Sequence, residues 1–308
     1  MRKTWQGILS LLMILSIAFV PVNAMDVEAT STDATEITDM LGRELTVVNE
    51  LRRIVVLNPA DAEILVALGA DELIVGRGEY VDYPANRMEN IPTVGSGENL
   101  NLEEILALQP QLVVDTAMSF SPVEMERLEE AGIPVYVTDA STIAEVYEAI
   151  QGLAKLVNKE AEGEALIAEM QATFEEYTHL AKEATEEEHT IYYEISPLEF
   201  GLWTAGQGTF MDEIGQMLQV NNIFAEVEGW AEISPEQVLD LNPDYIVTTS
   251  MPADGFDPID ELLNRTGWQD VTAIDRQQVF QANADEFTRP GPRLTDAIES
   301  LYHFIYEE

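Results

Sequence analysis

The sequence predicts an α/β fold of two similar lobes, each built on a central, mostly parallel sheet, joined by one long α-helix. Three observations lead there. Short β-branched runs alternate with helix-length stretches along most of the chain, the signature of parallel strands covered by helices on both faces. An amphipathic stretch near the middle, far longer than the others, interrupts that alternation. Two phrases of the first half then recur, in the same order, in the second. A chain of 308 residues also exceeds what one hydrophobic core ordinarily organises.

The chain opens on Arg2 and Lys3, an apolar run from Ile8 to Val20, and the small-residue pattern Val22-Asn23-Ala24. This is the layout of a secretory signal peptide over 1–24, cut near Ala24. The apolar run falls short of the ~20 residues a membrane span needs. The mature chain is therefore expected to be exported, to the periplasm or the extracellular space, and soluble. An N-terminal segment, 25–51, is polar and acidic and carries the turn signal Asp39-Met40-Leu41-Gly42-Arg43 between two short strands.

The N-terminal lobe is expected over 52–158. Ile54-Val55-Val56-Leu57 reads as a buried strand, followed by a helix from Asp61 to Leu68. Leu73 to Gly76, Leu112 to Val114 and Val135 to Val137 are further buried runs. Ile143, Val146, Ile150, Leu153 and Val157 step by three and four along one helix face, and the register breaks at Asn158. It resumes with Ile167, Met170, Phe174, Tyr177 and Ala181, placing a connecting helix over 159–185 that ends in Glu186-Glu187-Glu188. That helix lacks the Gly, Ser or Pro of a flexible linker. In the C-terminal lobe, 186–308, the alternation restarts at Ile191-Tyr192-Tyr193 and passes through Tyr245-Ile246-Val247 to a last helix near Pro292–Tyr306.

The internal echo is specific. Leu102 to Val114 aligns with Pro235 to Val247 at an offset of 133, matching Glu103 with Glu236 and Pro110 with Pro243. A weaker echo at an offset of 150 matches Glu63-Ile64, Leu68 and Leu73 with Glu213-Ile214, Leu218 and Ile223. Two similar lobes facing a cleft follow, and such clefts are where small ligands bind.

Composition narrows the function. With 57 Asp+Glu against 15 Lys+Arg the formal charge is −42, or −44 once Arg2 and Lys3 are removed with the leader. So acidic a surface repels nucleic acid and anionic lipid. Most of the acids are read as solvation in saline or alkaline surroundings. Zero cysteines exclude disulfides, thiol nucleophiles, Cys-ligated metal and lipid attachment at the leader. No P-loop, nucleophile elbow or HExxH motif occurs, and His179, His189 and His303 all lie away from the cleft loops, so neither an enzyme nor a His-built metal site is expected. The cleft loops instead offer flat side chains: Tyr80 and Tyr83 beside Asp82, Trp203 before Thr204-Ala205-Gly206, Trp230 before the helix cap Ser234, and Phe287 with Arg289.

The chain resembles the substrate-binding proteins of ABC importers for iron–siderophore, haem and cobalamin, the class III or helical-backbone receptors. The resemblance runs from about Thr38 to the C-terminus. Its carriers are Asn58-Pro59-Ala60, Asp82-Tyr83-Pro84, Asn101-Leu102-Glu103, Trp203-Thr204-Ala205-Gly206, Gly208-Thr209-Phe210, Trp230 with Ser234-Pro235-Glu236, and Arg289-Pro290-Gly291-Pro292-Arg293. It implies Rossmann-like lobes, little hinge motion across the helix, and capture of a metal chelate, foremost an iron(III)-siderophore, with a corrinoid or haem as alternatives. It implies ligand contacts from Tyr80, Trp203, Trp230, Phe287 and Arg289, with Arg77 a further cation. It also implies docking of a monomeric receptor on an ABC permease dimer through Glu103 and Glu236. The metal arrives inside its chelator, so no cofactor of the protein's own is implied. The cobalamin-binding member is similar around Tyr80–Pro84 and at Trp230 but has a tryptophan near the position of Gly97. A secreted α/β enzyme and a surface sensor module are the readings from other classes.

Overall fold

The computed structural model describes residues 34–118, 121–184, 187–253 and 255–307; the expected signal peptide lies outside them. Its first element is an antiparallel hairpin of β1 (Ala34–Thr38) and β2 (Glu44–Val48). The turn is the one suggested by Asp39-Met40-Leu41-Gly42-Arg43. The Asp39 carboxylate accepts from the Leu41 and Arg43 amides, and Gly42 takes a left-handed φ of +76°. Arg43 pairs with Asp39 at 2.6 Å and donates to the Val135 carbonyl at 2.7 Å, while the Met40 amide donates to Val137. The hairpin thereby caps what would be an open sheet edge.

The N-terminal lobe follows as β3 (Ile54–Val56), α1 (Pro59–Ala67), β4 (Ile74–Arg77), α2 (Ala85–Met88), α3 (Leu102–Ala107), β5 (Leu112–Thr116), α4 (Pro122–Glu130) and β6 (Val135–Thr138). Two helices come next, α5 (Ile143–Leu156) and α6 (Glu160–Ala184). The C-terminal lobe holds β7 (His189–Glu194), β8 (Leu202–Ala205), α7 (Phe210–Met217), β9 (Val220–Asn222), β10 (Trp230–Ile233), α8 (Pro235–Leu241) and β11 (Tyr245–Thr248). It ends in α9 (Pro258–Asn264), α10 (Thr272–Asp275), β12 (Val279–Gln281), α11 (Ala284–Thr288) and α12 (Leu294–Tyr306).

Each lobe carries a four-stranded, all-parallel sheet. The orders are β4-β3-β5-β6 and β9-β7-β11-β12, the same winding twice. The repeat at offset 133 is α3–β5 against α8–β11, helix then central strand. It extends to the backbone: Gln109 and Asn242 end their helices in the left-handed region, at φ 48° and 45°. The echo at offset 150 is α1 against α7.

Period-two alternation divides the strands between cores. Val55, Val113, Val135 and Val137 face an outer cluster of the N-terminal lobe, and Tyr192, Ile246 and Val279 an outer cluster of the C-terminal lobe. Ile54, Val56, Val114, Ile191, Tyr193 and Val247 all belong to one inner core that both lobes share. With each fully buried aliphatic worth about 1.5–3 kcal/mol, that core binds the lobes more firmly than any single ion pair. Asn158, at φ 56°, ends α5 as the broken register predicts, and α6 then crosses the back of both lobes, packing on α5, α7 and α12. Gly163 lets α5 and α6 close up, since a Cβ there would stand 2.7 Å from that of Ala154.

The lobes also exchange polar contacts in a mirrored way. Glu63 of α1 pairs with Arg293, the N-cap of α12, at 2.6 Å. Glu213 of α7 accepts from the amide of Ile143, the first residue of α5, at 2.7 Å. The members of these two contacts are related by the same offset of 150 that the sequence echo has.

Candidate functional site

Doubly wound parallel sheets present ligand sites beyond the carboxyl ends of their strands. On the N-terminal lobe those ends frame a hollow of about 370 Å³ whose lining includes Leu57, Tyr80, Gly97, Asp115, Met118 and Glu124. Its loops are held by close backbone fits. A Cβ at Gly78 would lie 2.2 Å from the Leu57 carbonyl oxygen, so only glycine lets the loop after β4 lie against the end of β3. The Gly78 amide donates to Val56 at 2.8 Å, and the Ser96 hydroxyl accepts from the Glu79 amide at 2.8 Å. Tyr80 projects from this braced loop with 66% of its surface exposed. At Gly97, φ 51°, an added Cβ would meet nothing within 4 Å, so the hollow is open beside that backbone.

Arg77 belongs to the scaffold rather than to a ligand. Its guanidinium donates to the carbonyls of Met88 and Ile91, both at 3.1 Å, and of Val81 at 2.8 Å, which shapes the loop carrying Tyr80. Behind the hollow, Thr138 donates to both Asp61 oxygens at 3.0 and 3.1 Å. Burial pushes the Asp61 carboxyl well above the aspartate range; the Thr138 hydrogen bond pulls it part of the way back, and the Asp115 charge raises it again.

The C-terminal lobe supplies an aromatic ledge. β8 and β10 pair antiparallel with Trp203 opposite Glu232 and Trp230 opposite Ala205, so both indoles stand diagonally on one face of the ribbon. Trp203 is 41% exposed, whereas Trp230 is half-buried and packs edge-on against Phe210 at 5.4 Å. The Ile195 amide donates to the Trp203 carbonyl, tying the ledge to the end of β7. There Glu194 forms a two-pronged buried pair with Arg265, at 2.6 and 3.0 Å.

Two expected ligand residues are placed differently. Phe287 is 1% exposed and packs against Phe280, because residues 284–288 form a short helix, capped by Asn283, that turns the ring into the core. It is not a cleft residue. Arg289 stands where the lobes meet but is already engaged, by Glu63 at 2.9 Å, Asp285 at 2.8 Å and Asp82 at 3.6 Å. Arg293 completes this cluster, its guanidinium 4.2 Å over the Tyr83 ring. Three exposed side chains that sequence reasoning passed over sit on loops after strand ends: Met118 after β5, Phe200 after β7 and Met251 after β11. For Met118 and Met251 the signal was a large apolar residue directly following a buried run.

Away from the cleft, Glu103 and Glu236 are exposed in the first turns of α3 and α8, capped by Asn101 and Ser234. One turn on, the equivalent Leu106 and Leu239 are also exposed, at 40% and 37%. His179 and His303 are exposed beside glutamates; His189 is half-buried against Tyr245 at the amino end of β7, opposite the site. No described helix is long and apolar enough to cross a membrane.

A profile described as periplasmic binding protein matches residues 54–286. The chain is 32% identical, over 88% of its length and 85% of the relative's, to an uncharacterized ABC transporter substrate-binding lipoprotein, YvrC, of Bacillus subtilis. It is 28% identical to the vitamin B12-binding protein of Vibrio cholerae, covering 82% of this chain and 88% of that one. The apo structure of the periplasmic heme-binding protein RhuT from Roseiflexus superposes with a TM-score of 0.74 at 25% identity, over 83% of this chain and 98% of that one.

Proposed function

The chain belongs to the periplasmic binding protein family, whose members are transport receptors and not enzymes, and from that premise we propose that it captures a metal chelate between its lobes for an ABC importer. An iron(III)-siderophore is the first reading of the ligand and a corrinoid the second. The observation that carries the proposal is the pair of aromatic faces at the carboxyl ends of the two lobes, exposed Tyr80 on one and exposed Trp203 beside half-buried Trp230 on the other. Such faces bind flat or bulky apolar chelates by stacking and dispersion. The open wall at Gly97 leaves room for a branched chelate, which supports the siderophore. The vitamin B12-binding relative supports the corrinoid.

Capture and release suffice as mechanism. The chelator keeps its metal, the protein contributes contact surface and a few directed polar groups, and no covalent step is required. Export through residues 1–24 with cleavage near Ala24, and docking of a monomer on the permease through Glu103 and Glu236, belong to the same proposal. Leu106 and Leu239 add an apolar contact beside each acid.

Titration of the purified protein with a ferric trihydroxamate, cyanocobalamin and haem, read by tryptophan emission, tests the ligand class. A coloured chelate on the ledge quenches Trp203 and Trp230, and Trp203→Ala weakens binding by about tenfold, the worth of one aromatic contact. Emission and melting temperature unmoved by all three ligands would refute it.

A further inference from the structure

The charge around the cleft is arranged against anions, and we infer that the site selects chelates carrying no net negative charge, with Glu63 as the residue that sets this preference. The inference rests on the proposal that the cleft holds a metal chelate.

Each arginine near the site is already engaged. Arg77 is spent on backbone carbonyls. Arg289 and Arg293 share Glu63, whose carboxylate is only 3% exposed and accepts from Arg289 at 2.9 Å and from Arg293 at 2.8 and 2.6 Å. Asp285 lies 2.8 Å from Arg289 and 3.5 Å from Arg293, and Asp82 lies 3.6 Å from Arg289. Two guanidiniums thus face three carboxylates. The hollow at the carboxyl ends of the N-terminal strands has Asp115 and Glu124 in its lining and no lysine or arginine among the described residues. An anion approaching Arg289 meets a cluster that is already net negative, in a partly buried setting where charges act over several ångströms. It cannot draw the arginine away cheaply either, since a buried carboxylate losing a partner carries a desolvation cost.

Glu63 is decisive because it is the buried member. Asp82 and Asp285 are partly solvated, and solvent screens them. Glu63 reaches across the lobe junction and holds both guanidiniums at once.

The test compares chelates of different charge on the intact mature protein: a cationic ferric trihydroxamate and an anionic ferric tricatecholate of similar size, with the larger neutral cyanocobalamin beside them. The tricatecholate is expected to bind at least about tenfold more weakly than the tighter of the other two at low salt, with the gap narrowing as NaCl is raised. Glu63→Gln, which keeps the shape and removes the charge, should recover about tenfold for the tricatecholate and leave cyanocobalamin unchanged. Should that variant fold poorly, the solvated change Asp82→Asn should move the tricatecholate in the same direction by a smaller factor. A native protein that takes all three chelates equally, or variants that leave the ranking and its salt dependence unmoved, overturns the charge rule alone. A protein that binds none of the three overturns the chelate reading, and the rule falls with it.

Discussion

Replacing Arg265 with leucine would remove the partner of one of the most deeply buried carboxylates in the C-terminal lobe. The Glu194 and Arg265 side chains are 1% and 2% exposed and meet through two hydrogen bonds, and Arg265 also pairs with Glu261 and lies 4.4 Å over the Trp268 ring. Breaking one side of such a pair costs about 3–5 kcal/mol, and the lost contact with the indole about 0.5–2 kcal/mol more. At about 2–4 °C per kcal/mol for a chain of this size, the melting temperature should fall by about 10–20 °C. The sign of the pH dependence follows from the same burial. Burial raises the Glu194 pKa and Arg265 lowers it, so without Arg265 the folded pKa rises further. A carboxyl with a raised folded pKa is tolerated at low pH in its neutral form and loses stability as pH rises through that pKa. The deficit should therefore be smaller near pH 5 than near pH 8, and Glu194→Leu/Arg265→Leu should recover most of it. Urea melts followed by circular dichroism and tryptophan emission measure both effects. A loss under about 1 kcal/mol at pH 8, or an equal loss at both pH values, would refute the reasoning.

Asp61→Asn keeps an acceptor for Thr138 while removing a carboxyl whose folded pKa is raised, chiefly by burial. Native stability should decline as pH climbs from the aspartate range through the raised value, so the variant should melt about 2–4 °C higher at pH 8, with little difference near pH 4; calorimetry at both values decides. Glu103→Ala/Glu236→Ala should bind chelate normally and fail in uptake by cells, and unchanged uptake would exclude the docking role. A net charge of −42 repels itself, so the melting temperature should rise from low to molar NaCl; equal stability at both ends would remove the saline reading.

The fold was legible because parallel strands buried on both faces leave continuous β-branched runs, as in Ile54-Val55-Val56 and Leu112-Val113-Val114. The duplicated winding was legible because α3–β5 and α8–β11 repeat down to the proline after each left-handed residue. Side-chain roles were less so. Phe287 reads like a loop aromatic, and only the turn of α11 under the Asn283 cap sends it inward. Arg289 reads as a free cation because its neutralising partner, Glu63, is 226 residues away in the chain. The clue was present in the weaker echo, where Glu63 and Glu213 occupy one position. Both turned out to reach across the lobe junction.

Those two crossed contacts, with α6 packed on helices of both lobes, tie the lobes together at two mirrored points. Were the lobes to keep one spacing with and without a chelate, the glutamates proposed to meet the permease would stand equally far apart in an empty molecule and a loaded one. Empty copies would compete with loaded copies for the same importer. Flux would follow the fraction of receptor that is loaded and not its amount alone, so producing more receptor when the chelate is scarce would slow uptake.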